Sequence, residues 1–373
     1  MTVTARALNR ATLARQLLLE RSTLPVADAV RQIVGIQAQQ PASPYVALWN
    51  RLSGFDPTDL DAAFAELRVV RSTLMRMTLH AVHADDYPTF REAVDPGLRA
   101  SRLDSRYTIS GLSPADADAL TPELLAFVAQ PRTAAECARW LERRFERELH
   151  EGAWWGVRSY APMLRAPTGA PWQFNAKVSY VAPPARPTVG DAGVSAESLK
   201  VLLQRYLAGF GPASIADMAQ FTLVPRTRVK AAVRELELEP VTDVLYDVPD
   251  APRPDERTPA PPRLMAMWDS ILFAYADRSR VISPEYRKHV TRVNGDTLPT
   301  LLVDGYVAGV WRAVDGGIEA TAFHPLPAKV WKGLETEAGG LLALLSEREP
   351  RVYSFYERWW SQLPHAEVRV LGG

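Results

Sequence analysis

The chain carries one cysteine, Cys137, in 373 residues. An intrachain disulfide is therefore impossible, and a cysteine-rich structural zinc site is excluded with it. Lysine is scarce as well, with six residues (Lys177, Lys200, Lys230, Lys288, Lys329 and Lys332) against 37 arginines. Net charge is absent, since 43 basic residues balance 43 acidic ones. That balance argues against a protein that coats nucleic acid, because phosphate binding rests on Lys and Arg. A local basic face is still allowed. No stretch approaches the ~18 apolar residues that a membrane helix requires. The N-terminal M-T-V-T-A-R-A-L-N-R lacks the apolar run of a signal peptide. The expectation is a cytoplasmic protein with no membrane partner.

What is present is ordinary globular material: 47% hydrophobic and 23% charged residues, in a chain long enough for two or three compact units. The arginine excess has two open readings. One is bidentate contact to phosphate, and the other is the amino-acid usage of a high-GC genome.

Two proline-rich stretches, 181–190 and 248–263, cannot be helix or central strand and read as connections. Between them lies the clearest local signal. Ser214 is placed to cap a helix through Phe221, with Asp217 at the capping-box position. Thr222 to Val224 forms a turn, and Pro225 starts a second helix that ends near Leu236 and carries Arg226, Arg228, Lys230 and Arg234. V-T-D-V-L-Y-D-V then reads as β. Helix, tight turn, basic helix and strands outline a winged helix-turn-helix. The same order occurs twice before it. Helices are expected over 25–36, 44–52 and 59–67, the last capped near Thr58, followed by strands in S-T-L-M-R-M-T-L-H-A-V-H. Further on, helices are expected from Thr133 and over 154–164, where Pro162 is placed to kink or shorten the helix, and then a wing in residues 166–182.

Residues 251–373 differ. Asp304-Gly305 suits a type I′ turn between apolar strands, Asn294-Gly295 and Asp315-Gly316 mark further turns, and 334–346 reads as helix. The expected fold is mainly α with small β-wings (α+β). It comprises three tandem winged helix-turn-helix units (1–110, 111–190 and 191–250) and a C-terminal antiparallel β-rich module (251–373).

The segment with chemical content is V-G-I-Q-A-Q-Q-P-A-S-P-Y at 34–45. Gly35 is placed to end a helix, and Pro41 pushes Gln40 toward extended geometry. An extended Gln37-Ala38-Gln39 puts both carboxamides on one side. Two such amides can hold a water molecule or a base edge. Exposed glutamines are also ordinary, and spacing alone assigns them no role.

Gln37-Ala38-Gln39, in its setting R-Q-I-V-G-I-Q-A-Q-Q-P-A-S-P-Y-V-A-L-W, resembles the Gln-x-Gln motif of the AlkZ-like bacterial DNA glycosylases. R-S-T-L-M-R-M-T-L-H (71–80), M-W-D-S-I-L-F-A-Y-A-D-R-S-R-V (267–281) and L-V-D-G-Y-V-A-G-V-W (302–311) resemble further segments of that family, in order along the chain. The YcaQ-like branch has a carboxylate at the second motif position, so Gln39 points to the AlkZ side. The resemblance implies three winged helices that embrace double-stranded DNA and hydrolysis of the N-glycosidic bond of 7-alkylpurines, bulky adducts and interstrand crosslinks included. It implies no metal and no organic cofactor. Gln37 and Gln39 become the expected catalytic pair. General repair and self-resistance to an alkylating toxin are both compatible with it.

Candidates for DNA contact are Arg71, Arg76, His80, Arg278, Arg280, Arg312 and the hairpin tip Asp304-Gly305. His80 and His83 with Asp85 and Asp86 are a weak metal signal, because strand residues three apart diverge. No lysine precedes Lys177, so a Schiff-base lyase is not expected. The rival reading is a non-catalytic winged-helix DNA-binding or regulatory protein. Three such units in one chain, with no heptad dimerisation helix, favour a monomer wrapped around a lesion.

Overall fold

The computed structural model describes residues 3–103, 105–150, 152–169, 171–174 and 177–372. Residues 170, 175 and 176, within the expected wing at 166–182, lie outside that set. The fold is mixed α and β. It opens with α1 (Ala5–Arg15), which the sequence reading did not anticipate, followed by α2 (Val26–Gln32), β1 (Ile36–Gln37), α3 (Ser43–Trp49), α4 (Pro57–Ala65), β2 (Val69–Thr73) and β3 (Leu79–His83). β3 lies between β1 and β2, antiparallel to both. The helices are shorter than the expected 25–36, 44–52 and 59–67. α4 begins at Pro57 because the Asp56 side chain, rather than Thr58, accepts the capping bond, from the Thr58 N–H.

α5 (Tyr87–Arg102) and α6 (Ser105–Thr108) lead to α7 (Pro114–Phe127), β4 (Arg132–Thr133), α8 (Ala134–Arg144), α9 (Gly152–Tyr160), β5 (Leu164–Arg165) and β6 (Ser179–Val181). α8 is capped by a Thr133/Glu136 box. α9 stops before Pro162, so of the two expected effects on the helix over 154–164 it is shortening that occurs. β6 lies between β4 and β5, and β5 joins β2, fusing two small sheets into one of order β1-β3-β2-β5-β6-β4. The joint is one residue pair, Arg71 opposite Arg165.

α10 (Ala192–Phe210), α11 (Ile215–Thr222), α12 (Arg226–Arg234), β7 (Glu239–Pro240) and β8 (Tyr246–Asp247) follow. The Ser214/Asp217 capping box is present, and Leu223 takes the left-handed conformation between α11 and α12. Ala213 bridges Tyr246 in place of a first strand. The C-terminal part holds β9 (Arg263–Leu264), α13 (Pro284–Val290), β10 (Thr300–Val303), β11 (Tyr306–Val314), β12 (Gly317–Ala322), α14 (Ala328–Ser346) and β13 (Glu367–Leu371). Its sheet runs β13-β12-β11-β10-β9, all antiparallel. Asp304 and Gly305 both have positive φ, 48° and 83°, as a type I′ turn requires.

One hydrophobic core runs through the first and third helix–strand repeats and the C-terminal sheet, while residues from Tyr107 to Tyr180 form a second. α1 ties the first core together by polar means. Its buried Asn9 donates to Arg280 O and Gly305 O, Thr12 bonds Tyr275, Arg15 pairs bidentately with Asp247 at 2.7 and 2.8 Å, and Gln16 donates to Gly209 O. Among the described residues no helix is long and apolar enough to cross a membrane.

Candidate active site

The Gln-x-Gln segment starts where α2 stops. Val34 N–H donates to Arg31 O and Gly35 N–H to Val30 O, at 3.2 and 3.1 Å, the bond pair of a Schellman ending. The left-handed residue is Val34, at φ 67°, so the stop falls one residue before the expected Gly35. Gly35 is needed for another reason: at φ +102°, a Cβ there would stand 2.7 Å from Val82 Cγ1. The chain can therefore run close against β3. Ile36 and Gln37 pair with Ala81 and His80, and Ala38 N–H donates to Leu79 O at 2.7 Å. The ladder gains one more rung through a side chain, since Leu79 N–H donates to Gln39 Oε1 at 3.0 Å.

Gln37, His80 and Ser72 are successive partners across β1, β3 and β2, so they share one face. Gln37 is 3% exposed, and its Oε1 accepts from Arg76 Nη2 at 2.8 Å. The same nitrogen lies 3.1 Å from His80 Nε2. His80 Nδ1 faces Thr78 O at 3.1 Å. A carbonyl can only accept, so Nδ1 carries the proton and Nε2 accepts from Arg76. Burial, reinforced by the Arg76 charge, pulls the His80 pKa down to about 3. Arg76 Nη1 donates to Phe221 O at 3.2 Å, and its guanidinium sits 5.2 and 5.6 Å from the ring centres of Phe221 and Phe273. The β2–β3 turn is thereby clamped onto α11. Burial draws Arg76 down to about 9, which leaves it charged at neutral pH.

This neutral histidine has a measurable consequence. The unfolded chain binds a proton at His80 near the ordinary ~6.5, whereas the folded chain does so only near 3. The unfolded state therefore holds more protons between those values. The stability contributed by His80 is complete above about pH 6.5 and declines as pH falls toward 3. From this group, wild type is expected to be ~2 kcal/mol less stable at pH 5 than at pH 8. Urea unfolding at the two pH values should show a difference reduced by that amount in His80→Gln. An unchanged difference would mean that other groups set the pH dependence.

The structure does not put both carboxamides on a common open surface. Gln37 is buried, whereas Gln39 is exposed and lines a cleft of about 260 Å³ with Pro41, Arg71, Arg165, Phe174 and Lys177. Arg71 Nε and Nη2 donate to Ala38 O at 2.9 and 2.7 Å, and its guanidinium lies 4.6 Å from the Phe174 ring centre. Ser270 Oγ accepts from Gln37 N–H and donates to Gly35 O, both at 3.4 Å. On the far side, Gln40 Nε2 donates to the Tyr356 hydroxyl at 3.2 Å.

Most residues expected to touch DNA have partners inside the chain. His80 is 1% exposed, and Arg76 is spent on Gln37, His80 and Phe221. Arg280 is buried, donates to Phe210 O and Pro212 O, and stacks on Tyr275 at 3.9 Å. The Asp304-Gly305 tip, expected to enter a groove, is packed on α1 instead. Arg6 and Arg10 hold the Asp304 carboxylate, and a Cβ on Gly305 would collide with Asn9 Oδ1. Arg312 pairs with Glu319 at 2.8 Å. Arg278, half-buried over Phe273, has no carboxylate within ion-pair distance among the described residues and keeps its candidacy. His83 lies 3.6 Å from Asp85, and among the described residues no His, Cys, Asp and Glu converge as a metal-ligand set. Sequence reasoning missed Arg165, Phe174 and Ser270. Only the strand pairing and the long-range packing bring them to the motif.

A family model described as DNA glycosylase AlkZ-like matches residues 30–344. The interstrand DNA cross-link repair glycosylase of Streptomyces sahachiroi is 25% identical over 354 residues, covering 87% of this chain and 92% of that protein. The solved structure of Streptomyces sahachiroi DNA glycosylase AlkZ superposes with a TM-score of 0.77 at 21% identity, over 93% of this chain and 98% of that one. The structural likeness speaks for the fold alone.

Proposed function

The chain belongs to the AlkZ-like DNA glycosylase family, and from that premise we propose that it hydrolyses the N-glycosidic bond of 7-alkylpurines in double-stranded DNA. A purine alkylated at nitrogen 7 is cationic and departs as a neutral base, so it needs little general acid. What remains is to align a water molecule and to stabilise an oxocarbenium-like sugar, tasks of positioning and electrostatics. An amide cannot act as a strong base, but its oxygen has two lone pairs and its nitrogen two donors. Gln39 presents its amide to the cleft, and the buried Gln37 is proposed to meet the same water once DNA is bound. The observation that carries the reading is the Arg76–Gln37 bond, which fixes one amide of the pair in advance of substrate. The relative described as a cross-link repair glycosylase supports extending the substrates to bulky adducts and interstrand crosslinks.

The helix–strand–helix–helix–strand–strand order, with its first strand beside its last, supports three winged helices over 1–110, 111–190 and 191–250, with 251–373 as the C-terminal module. We take the working unit to be a monomer and the reaction to be monofunctional. Lys177 does line the cleft, but it is exposed rather than enclosed in the apolar pocket that activates a lysine.

Incubation with duplexes carrying 7-methylguanine or a crosslink at that nitrogen, followed by hot alkali, tests the reading. Wild type should release base. The Gln37→Ala/Gln39→Ala variant should lose at least ~100-fold in single-turnover rate while binding DNA normally, and borohydride should trap no adduct. A double variant as fast as wild type would remove the pair from the mechanism. Tight DNA binding without release from any substrate would favour a non-catalytic DNA-binding protein.

A further inference from the structure

We propose that the cleft floored by Arg71 and Arg165 seats a backbone phosphate beside the lesion and excludes the cationic base. The inference rests on the glycosylase reading and adds a site to it. Arg71 and Arg165 face each other directly where the two small sheets fuse. Like charges opposite one another across strands are destabilising. Neither guanidinium has a carboxylate within ion-pair distance among the described residues. Of the chain's other buried arginines, Arg10, Arg15, Arg51 and Arg91 each sit on an aspartate and Arg263 on Glu337, while Arg280 is held by the Phe210 and Pro212 carbonyls. Burial draws Arg71 down to about 9, with the Arg165 charge adding to the effect. What sets this place apart is two such charges face to face, and a counter-charge arriving from outside would relieve both.

The donors left over point to an oxyanion. Arg71 spends Nε and Nη2 on the Ala38 and Gln39 carbonyls, leaving Nη1 for the cleft. Arg165 donates Nη1 to the Tyr180 hydroxyl at 2.7 Å and stacks on that ring, leaving Nε and Nη2. Among the described residues, the Arg165 Nε–Nη2 edge and the single Arg71 Nη1 have no acceptor of their own, and together they match a phosphodiester. Among the described residues, no Asp or Glu lines the cleft. A 7-alkylpurine carries the same sign as the two guanidinium groups and is repelled. Because Arg71 also grips the Ala38 and Gln39 carbonyls, a phosphate on it would hold the motif backbone against the strand that carries the lesion.

The test uses the full chain and duplexes with a single neutral methylphosphonate, stepped along the lesion strand. Arg165→Gln should weaken DNA binding about tenfold and lower the salt slope by about one ion. The loss should be equal for duplexes with guanine and with 7-methylguanine. One methylphosphonate position should cost wild type the same factor and cost Arg165→Gln nothing more. Affinity unchanged in Arg165→Gln, or losses that multiply at every position, would overturn the proposal. So would a loss confined to the alkylated duplex, which would make the cleft a base pocket. These readouts concern binding, so an enzyme that releases base normally while ignoring every methylphosphonate fails this proposal and keeps the glycosylase reading. An enzyme that releases no base fails that reading instead.

Discussion

Replacing Arg76 by methionine is expected to lower the single-turnover rate of base release by ~100-fold, with duplex affinity changed by less than ~3-fold. Arg76 sits in the turn between β2 and β3 with φ 53° and turns inward. One nitrogen serves Gln37 Oε1 and His80 Nε2, and the other serves Phe221 O. Methionine fills the space between Phe221 and Phe273 but donates nothing, so the Gln37 amide can rotate. Arg76 is a positioning residue, since nothing places it against the reacting atoms. Its loss should therefore appear in kcat and not in KM. Arg76→Lys, which keeps the charge and can donate to Gln37, should recover part of the rate. A purely structural role would move melting temperature, DNA affinity and rate together. That pattern, or an undiminished rate, would remove Arg76 from the catalytic argument. Neutral His80 belongs to the same device, because a protonated Nε2 would repel Arg76 instead of accepting from it.

The parts of this molecule that were legible in the sequence are those governed by neighbours in the chain. Ser214 with Asp217, and Thr133, cap their helices because a cap closes within four residues. Asp304-Gly305 turns its hairpin because the φ values demanded are local. Long-range pairing of charge was not legible. Asp304 is held by Arg6 and Arg10 from almost 300 positions away, and an isolated DG at a hairpin tip reads as exposed. α1 went unnoticed for a related reason. Its buried residues are Asn9, Arg10, Ala11, Thr12, Leu13 and Arg15, four of six polar, which gives no apolar periodicity. The Gln motif was visible as residues, but its geometry was not. Alternation alone put both amides on one side, whereas the strand ladder ends at Ala38 and Gln39 supplies the next rung with its own side chain.

The same long-range logic sets the largest expected loss of stability, in Asp269→Ala. Arg51 and Asp269 side chains are each 1% exposed and pair through two bonds of 2.8 and 2.9 Å. Asp269 also accepts from Ile271 N–H at 3.3 Å, which shapes the turn that presents Ser270 to the Gln37 backbone. Removing the carboxylate strands a buried guanidinium whose only other acceptor among the described residues is Ala47 O, so unfolding free energy should fall by ~3–5 kcal/mol. Two charges taken from water gain little over apolar groups of similar volume. The double replacement Arg51→Met/Asp269→Leu should therefore recover most of the loss. Urea unfolding of the three variants separates the causes. A double variant no better than Asp269→Ala would place the cost in the lost turn and not in the stranded charge. Asp269→Ala as stable as wild type would mean that water reaches Arg51. If the turn matters to the site, base release by Asp269→Ala, measured well below its unfolding transition, should be slower than its folded fraction accounts for. The double variant should regain stability without regaining rate, because leucine offers Ile271 N–H no acceptor.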